Sequence, residues 1–126
     1  MYAIGAMAQN KDVVAELLNW GANVNEATLT GLTPLLLATK KKHTQVVKLL
    51  LARGAEISAQ FPEDLNSALH YACIFENKSI LKALLEHCTK ALSGEKTQEF
   101  LYLLNREGKT ALDLASELHQ ESDDKT

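Results

Sequence analysis

The sequence predicts an all-α fold built from repeated helical units, and two sets of recurring segments support this prediction. Residues 12–18 (DVVAELL) recur as residues 45–51 (QVVKLLL), 33 residues later. A second series, TPLLLA, SALHYA and TALDLA, begins at Thr33, Ser67 and Thr110, with spacings of 34 and then 43 residues. Self-similarity at a nearly fixed period of this length is typical of a stacked repeat array.

The recurring hydroxyl residues are predicted to begin helices. A hydroxyl at Thr33, Ser67 or Thr110 can accept a hydrogen bond from a backbone amide that has no partner within the helix. Pro34 follows at the first helical position, where the amide proton that proline lacks would have no helical acceptor. We therefore expect a short inner helix after each of these hydroxyl residues.

A second helix is predicted for each unit. The aliphatic residues of segment 45–51 follow helical spacing. Gly21 and Gly54, at equivalent places in successive units, are predicted to end these outer helices, because the residue after a helix commonly takes a left-handed conformation that glycine tolerates.

Together these motifs resemble the ankyrin repeat, whose unit is a β-turn followed by two helices with a T-P-L-H-x-A opening. The resemblance implies an all-α solenoid of stacked turn–helix–helix units in a single domain, residues 1–119. Residues 120–126 lie outside the resemblance, and their composition predicts a polar acidic tail. It also implies that His70, the motif histidine, bonds backbone in an adjacent turn. The expected repeats are about 1–27, 28–60, 61–104 and a partial repeat at 105–119.

Departures from the pattern predict local differences. Cys88 stands where the third outer helix should meet its glycine, so this helix is expected to continue until Ser93-Gly94. A short added helix within 97–105 would then account for an insertion near 89–104, which we interpret as a surface insertion. Leu36 and Asp113 replace the motif histidine in the second and fourth repeats, so these turns are expected to be held less firmly.

Composition and charge narrow the possible functions. The chain has 126 residues, 46% hydrophobic and 23% charged, which is ordinary for one soluble domain, and its net charge of -3 argues against a dedicated nucleic-acid binder. Apolar runs such as 49–52 are far shorter than the roughly 20 residues of a membrane-spanning helix. The sequence shows no secretory signal pattern, and Cys73 and Cys88 are interpreted as reduced thiols. These features predict a cytoplasmic protein without membrane insertion.

Catalytic chemistry is not predicted. The four histidines lie in different parts of the repeat series, and none has the ligand spacing of a zinc site. The sequence contains neither a glycine-rich phosphate loop nor a nucleophile elbow. We therefore expect a non-catalytic protein without a cofactor.

The resemblance implies that a protein or peptide binds the concave face, which is formed by turn tips and exposed inner-helix positions. Phe75, Ile74 and Trp20 are the predicted apolar anchors, because large apolar residues dominate binding energy when an interface buries them. The predicted partner-binding residues, which also include charged and turn residues, are Met7, Trp20, Leu29, Thr30, Leu32, Lys40, Lys41, Arg53, Asp64, Asn66, Ile74, Phe75, Arg106 and Lys109.

The nature of the partner stays open in the sequence. Residues 31–60 carry five basic residues against Glu56 alone, which favours a partner with an acidic segment, although cations near a helix end also complement its dipole. One alternative is a small ligand or nucleotide in a pocket between Trp20, Lys40 and Phe75. Another is a spacer array from a larger multidomain protein, because Met1 aligns with a position inside an inner helix. The pattern occurs in eukaryotic proteins and in bacterial proteins delivered into host cells, and it sets no oligomeric state.

Overall fold

The computed structural model describes residues 11–124, with side-chain surroundings given for 11–117. Within that part the chain forms helices and no strand, and one isolated antiparallel bridge joins Gln60 to Ser67. The all-α prediction is therefore confirmed. Met7 and the expected first inner helix lie outside the described residues. The helices are α1 (Lys11–Asn19), α2 (Pro34–Lys40), α3 (Thr44–Ala52), α4 (Ala68–Ile74), α5 (Lys78–Ala91), α6 (Gly94–Leu101) and α7 (Ala111–Asp124).

The helices form two rows. The outer helices α1, α3 and α5 pack side by side, and the inner helices α2, α4 and α7 form the second row. Within a repeat, α2 packs against α3 and α4 packs against α5. Only residues 41–43 and 75–77 connect these pairs, so the two helices of each pair run antiparallel. This arrangement is the predicted solenoid of turn–helix–helix units.

The inner helices begin where the hydroxyl residues predicted them. Thr33, Ser67 and Thr110 each accept a hydrogen bond from the backbone amide three residues later, with donor–acceptor distances of 3.2, 3.4 and 3.1 Å. Pro34 occupies the first turn of α2. At the fourth repeat the Asp113 carboxylate also accepts from the Thr110 amide at 3.0 Å, so the two residues cap each other.

The outer helices end as predicted. Gly21 and Gly54 follow α1 and α3 with φ angles of 95° and 90°, which residues with a side chain rarely adopt. The aliphatic face of α3 is buried between the two rows, and Leu50 and Val47 are completely inaccessible to solvent. Burying a side chain of this kind contributes about 1.5–3 kcal/mol, so this interior stabilises the stack.

The insertion forms a helix, as the sequence predicted. Cys88 is buried and α5 continues past it to Ala91. Ser93 then caps α6 by accepting from the Lys96 amide, which starts the added helix at Gly94 rather than at 97. Phe100 anchors α6, because its side chain is buried in the core.

The C-terminal segment differs from expectation. Residues 120–124, predicted as part of a polar tail, continue α7 to Asp124. Residues 111–124 contain neither glycine nor proline, so no residue in this segment favours an end to the helix.

Candidate partner-binding surface

The predicted binding residues separate into three groups: the ends of inner helices, the ends of outer helices, and the turns. Lys40 ends α2 and Phe75 follows α4, whereas Trp20 and Arg53 follow α1 and α3. Because the two helices of a repeat are antiparallel, these two sets lie at opposite ends of the helix pair. An outer helix of nine residues spans about 13 Å, which is the scale of this separation.

The inner-helix ends carry a cluster of cations and aromatic rings, which we call the cation–aromatic cluster (Lys40, Lys42, Phe61, Tyr71 and Phe75). The Lys40 ammonium lies 5.2 Å from the ring centre of Phe61 and 5.3 Å from that of Tyr71. The Lys42 ammonium lies 5.5 Å from the ring centre of Phe75. Each such contact contributes about 0.5–1 kcal/mol at an exposed site, so together these contacts favour one orientation of the lysine side chains.

Stacking and hydrogen bonding hold the aromatic part of the cluster. The rings of Tyr71 and Phe75 are stacked, with centres 6.2 Å apart and planes within 16°. The Tyr71 hydroxyl donates to the carboxylate of Asp64, 2.9 Å and 3.0 Å from its two oxygens. Burial is the larger cause and the Asp64 carboxylate the next of a raised pKa of Tyr71. The phenol therefore remains a proton donor. Asp64, a predicted binding residue, therefore helps to hold Tyr71 in place.

The lysines at the end of the inner helix α2 remain available to an acidic group. Lys41 and Lys42 are exposed and Lys40 is half-buried. Among the described residues, the salt bridges join Lys82 to Glu86 and Lys109 to Glu107 and Glu117. Phe75 is 37% exposed beside the lysines, so an apolar surface adjoins the positive charge.

The outer-helix ends form a separate surface. Trp20 is 84% exposed, and its indole N–H donates to Glu16 in the same helix at 2.9 Å. Arg53 donates to the Asn19 side chain of the neighbouring repeat at 2.8 Å. Leu29 and Thr30 project from the following turn and are exposed, whereas Leu32 is partly buried against the core.

The structure does not bring Trp20, Lys40 and Phe75 together as a small-ligand pocket would require. Lys40 lies over Phe61 and Tyr71, and Phe75 contacts Tyr71 and Lys42. The antiparallel helix pair places Trp20 at the other end of the repeat. Two of the predicted apolar anchors, Trp20 and Phe75, are separated for the same reason, and the third, Ile74, is partly buried against the core.

Two of the predicted turn residues, Asn66 and Arg106, join the third and fourth repeats, and Lys109 is paired within the fourth. Asn66 is buried and accepts from the Asn105 side chain at 3.0 Å. Arg106 donates to the backbone carbonyl oxygens of Pro62 and Glu63. Lys109 pairs with Glu117 at 2.8 Å. These contacts give Asn66, Arg106 and Lys109 an internal role.

His70 has the role that the resemblance implied. Its Nε2 atom lies 3.0 Å from the carbonyl oxygen of Lys109 in the next turn. A carbonyl oxygen only accepts, so Nε2 carries the proton and Nδ1 can accept from the Ser67 amide at 3.1 Å. His70 therefore connects two repeats and is buried by them.

The described residues contain no group of three or more His, Cys, Asp or Glu side chains suited to a metal ion. In the same part of the chain, no helix is long and apolar enough to cross a membrane. Cys73 and Cys88 are free thiols, and burial raises the pKa of both, which favours the protonated, less reactive form.

Sequence reasoning missed two parts of the surface. Phe61, Tyr71 and Lys42 were not predicted as site residues, although the spacing of Tyr71 and Phe75 places both rings on one face of a helix. Exposed apolar residues beside α5 and α7 were also missed, because their exposure depends on which helices cover them. This second set is Leu85, Tyr102, Leu104 and Leu112.

Comparison with known proteins places this arrangement in a family. A model of ankyrin repeats in three copies matches residues 1–61, and a second model, of ankyrin repeats in many copies, matches residues 38–85. A fowlpox virus (strain NVSL) protein named as an ankyrin repeat protein is 37% identical over 78 residues, covering 60% of this chain and 23% of its own length.

Two animal proteins are also similar. A Danio rerio protein named for a palmitoyltransferase, ZDHHC13, is 30% identical over 117 residues, which cover 92% of this chain and 17% of the relative. The transient receptor potential cation channel subfamily A member 1 of Homo sapiens is 39% identical over 77 residues, 57% of this chain and 6% of the relative. The chain therefore spans less than a quarter of each of these relatives.

The two family models together match residues 1–85, and the helix pairs, glycine ends and His70 contact follow one repeat design. Repeats of this design generally serve as protein-interaction modules. The chain belongs to the ankyrin-repeat proteins.

Proposed function

We propose that this chain is a non-catalytic interaction module that binds an acidic segment of a partner protein at the cation–aromatic cluster. The carrying observation is the position of the Lys40 and Lys42 ammonium groups over aromatic rings, beside the exposed ring of Phe75. A carboxylate of the partner can pair with these cations while an apolar side chain next to it covers Phe75.

Preorganisation supports this function. The cations already lie over the rings, and Tyr71 is fixed by Asp64, so binding orders few additional side chains. Each rotamer-rich side chain that must be immobilised costs about 0.5–1.5 kcal/mol, and a prearranged surface avoids part of that cost. The exposed lysines also attract an acidic partner over a distance, an effect that added salt screens.

A charge-reversal experiment tests the proposal. Lys40→Glu/Lys42→Glu, which reverses both cations of the cluster, is compared with Lys48→Glu/Lys90→Glu, which changes the net charge equally on exposed lysines of the outer helices. Each variant is first shown to keep the helical circular dichroism of the parent. Proteins captured from a cell lysate are then quantified at low and high salt.

We expect the parent and Lys48→Glu/Lys90→Glu to retain a captured protein. Lys40→Glu/Lys42→Glu should fail to retain it, and high salt should release it from the parent. Phe75→Ala should weaken the same capture, because truncating a buried interface anchor costs about 2 kcal/mol. Equal loss of the captured protein in both double variants would mean that net charge alone determines the binding. Equal retention by all variants would place binding elsewhere.

A further inference from the structure

The linkers between the two helices of a repeat have the same backbone conformation in the second and third repeats. Lys42, between α2 and α3, has a φ of 63°, and Glu76, at the equivalent place between α4 and α5, has a φ of 52°. The Lys42 amide donates to the Thr39 carbonyl oxygen at 3.1 Å, and the Glu76 amide donates to that of Cys73 at 3.2 Å. The side chains of Lys42 and Glu76 therefore leave equivalent backbones at the same edge of the stack.

The charge of this edge changes sign from one repeat to the next. The second repeat contributes Lys41 and Lys42, and the equivalent residues of the third repeat are Phe75 and Glu76. All four are exposed, and we call them the linker edge (Lys41, Lys42, Phe75 and Glu76). The Lys42 ammonium lies 5.5 Å from the ring centre of Phe75, so the two repeats meet here. The linker edge therefore presents cations, an aromatic ring and a carboxylate in that order.

The exposure of Glu76 is a property of its position in the linker. Lys42 has the same position in the second repeat, and it is exposed although α4 and α5 pack beside α2 and α3. A further helix beside α5 would leave Glu76 open in the same way. Among the described residues, the salt bridges are those of Lys82 and Lys109, and the nearby Lys78 belongs to none of them. The Glu76 carboxylate is therefore available to a cation of a partner.

We propose, resting on the proposed function, that the bound segment carries an acidic, an apolar and a basic residue in that order along the linker edge. Its carboxylate pairs with Lys42, its apolar side chain covers Phe75, and its basic side chain pairs with Glu76. Complementary charges at both ends fix the register of the segment. A uniformly acidic segment binds less well, because its second carboxylate faces that of Glu76.

The spacing along the linker edge determines the spacing within the segment. Packed helices of neighbouring repeats lie about 8–10 Å apart. An extended chain covers this distance in about three residues, and its alternate side chains point to the same face. Positions i, i+2 and i+4 of an extended segment are therefore the nearest set that places three side chains over Lys42, Phe75 and Glu76.

Two fluorescein-labelled peptides test the order of charges. Both have a Gly/Ser background with Glu and Leu at alternate positions, and the next alternate position is Arg in the first peptide and Glu in the second. Fluorescence anisotropy at low salt gives the affinity of the full chain for each peptide. Glu76→Lys reverses the charge of the linker, and Glu99→Lys makes the same change in net charge at an exposed position of α6.

We expect the parent and Glu99→Lys to bind the first peptide more tightly, and Glu76→Lys to prefer the second. The ratio of the two affinities should change about fivefold or more between the parent and Glu76→Lys, because one exposed ion pair is lost and another forms. Glu76→Gly removes the carboxylate and suits the positive φ, so it keeps the fold and should bring the two affinities together.

An unchanged ratio of affinities in Glu76→Lys or Glu76→Gly would overturn this inference. The proposed function would still hold in that case if Lys40→Glu/Lys42→Glu binds both peptides more weakly than the parent does. If that double variant binds them as tightly as the parent, or the parent binds neither, the inference and the proposed function both fail. Equal binding of a first peptide with Ser in place of Leu would also overturn the inference, because Phe75 would then not contact the segment.

Discussion

At the position of the motif histidine, the junction between the third and fourth repeats is polar, whereas the junction between the second and third is apolar. At the first, His70 binds the Lys109 carbonyl oxygen and Asn105 donates to Asn66, each at 3.0 Å. At the second, Leu36 stands in the histidine position and is completely buried.

Close backbone contact takes part in the apolar junction. Gly31 adopts a φ of 90°, and a Cβ built on it would lie 2.6 Å from Cγ of Pro62 in the next turn. The expectation that the turn lacking histidine is held less firmly therefore needs refinement, because shape replaces hydrogen bonds there.

The two junctions should respond differently to substitution, because one depends on hydrogen bonds and the other on packing. A hydrogen bond between buried groups is directional, and removing one partner leaves the other unsatisfied at a cost of about 1–3 kcal/mol. An apolar contact between tightly packed groups is instead sensitive to added or removed volume. We therefore expect a substitution at the motif position to be tolerated only where the facing turn offers matching contacts.

The largest expected effect comes from His70→Leu, which puts the second repeat's residue into the third. The substitution leaves the Lys109 carbonyl and the Ser67 amide without their histidine partner, so we expect the free energy of unfolding to fall by about 2–3 kcal/mol. Urea unfolding followed by circular dichroism measures the change.

Leu36→Ile is the matched change at the apolar junction. It keeps the side-chain volume, so it should cost less than about 1.5 kcal/mol. If the two variants lose equal stability, the proposed contrast between the junctions fails.

A smaller effect is expected from Gly31→Ala. The added methyl group meets Pro62 and forces a residue with a side chain into a positive φ, so we expect a loss of about 2 kcal/mol. Gly54→Ala is the control, since Gly54 has the same φ of 90° and no atom within 4 Å of its Cβ position. That variant should lose only about 1 kcal/mol for the backbone. Equal losses in urea unfolding would exclude a contribution from the Pro62 contact.

The sequence predicted the features of the fold that local chemistry determines. Thr33 and Ser67 start helices because the amides they accept from lie within one turn, and Gly54 ends one because of its own φ preference. The end of α7 was predicted too early, because a change to polar composition alone does not end a helix. Local signals therefore predict where helices begin more reliably than where an uncapped helix stops.

The candidate site was predicted only in part, since its contacts join distant segments. Lys40 and Phe75 were singled out, but the rings beneath Lys40 belong to Phe61 and Tyr71 on the following turn and helix. Trp20 is also a large aromatic residue, but it lies at the other end of the repeat. Leu112 is exposed because no helix of the described residues packs over it, and its residue type does not indicate this.

The smallest expected effect concerns an exposed ion pair within the fourth repeat, next to the polar junction. The Glu117 carboxylate, 2.8 Å from the Lys109 ammonium, raises the pKa of Lys109 above its ordinary value of 10.5. A lysine whose pKa is higher in the folded state adds stability in full below the unfolded value, and this stability disappears as the pH rises through the folded value. Glu117→Gln should therefore lower the free energy of unfolding at pH 8, and this difference should shrink above pH 10.5.

Urea unfolding of the parent and of Glu117→Gln at low salt, at neutral and at strongly alkaline pH, measures this difference. Glu99→Gln, an exposed change on α6, is the control for the removal of a carboxylate and should show no such convergence. A difference that persists undiminished at alkaline pH would mean that Glu117 acts without the Lys109 charge. In that case the ion pair does not support the polar junction, whose hydrogen bonds from His70, Asn105 and Arg106 form without it.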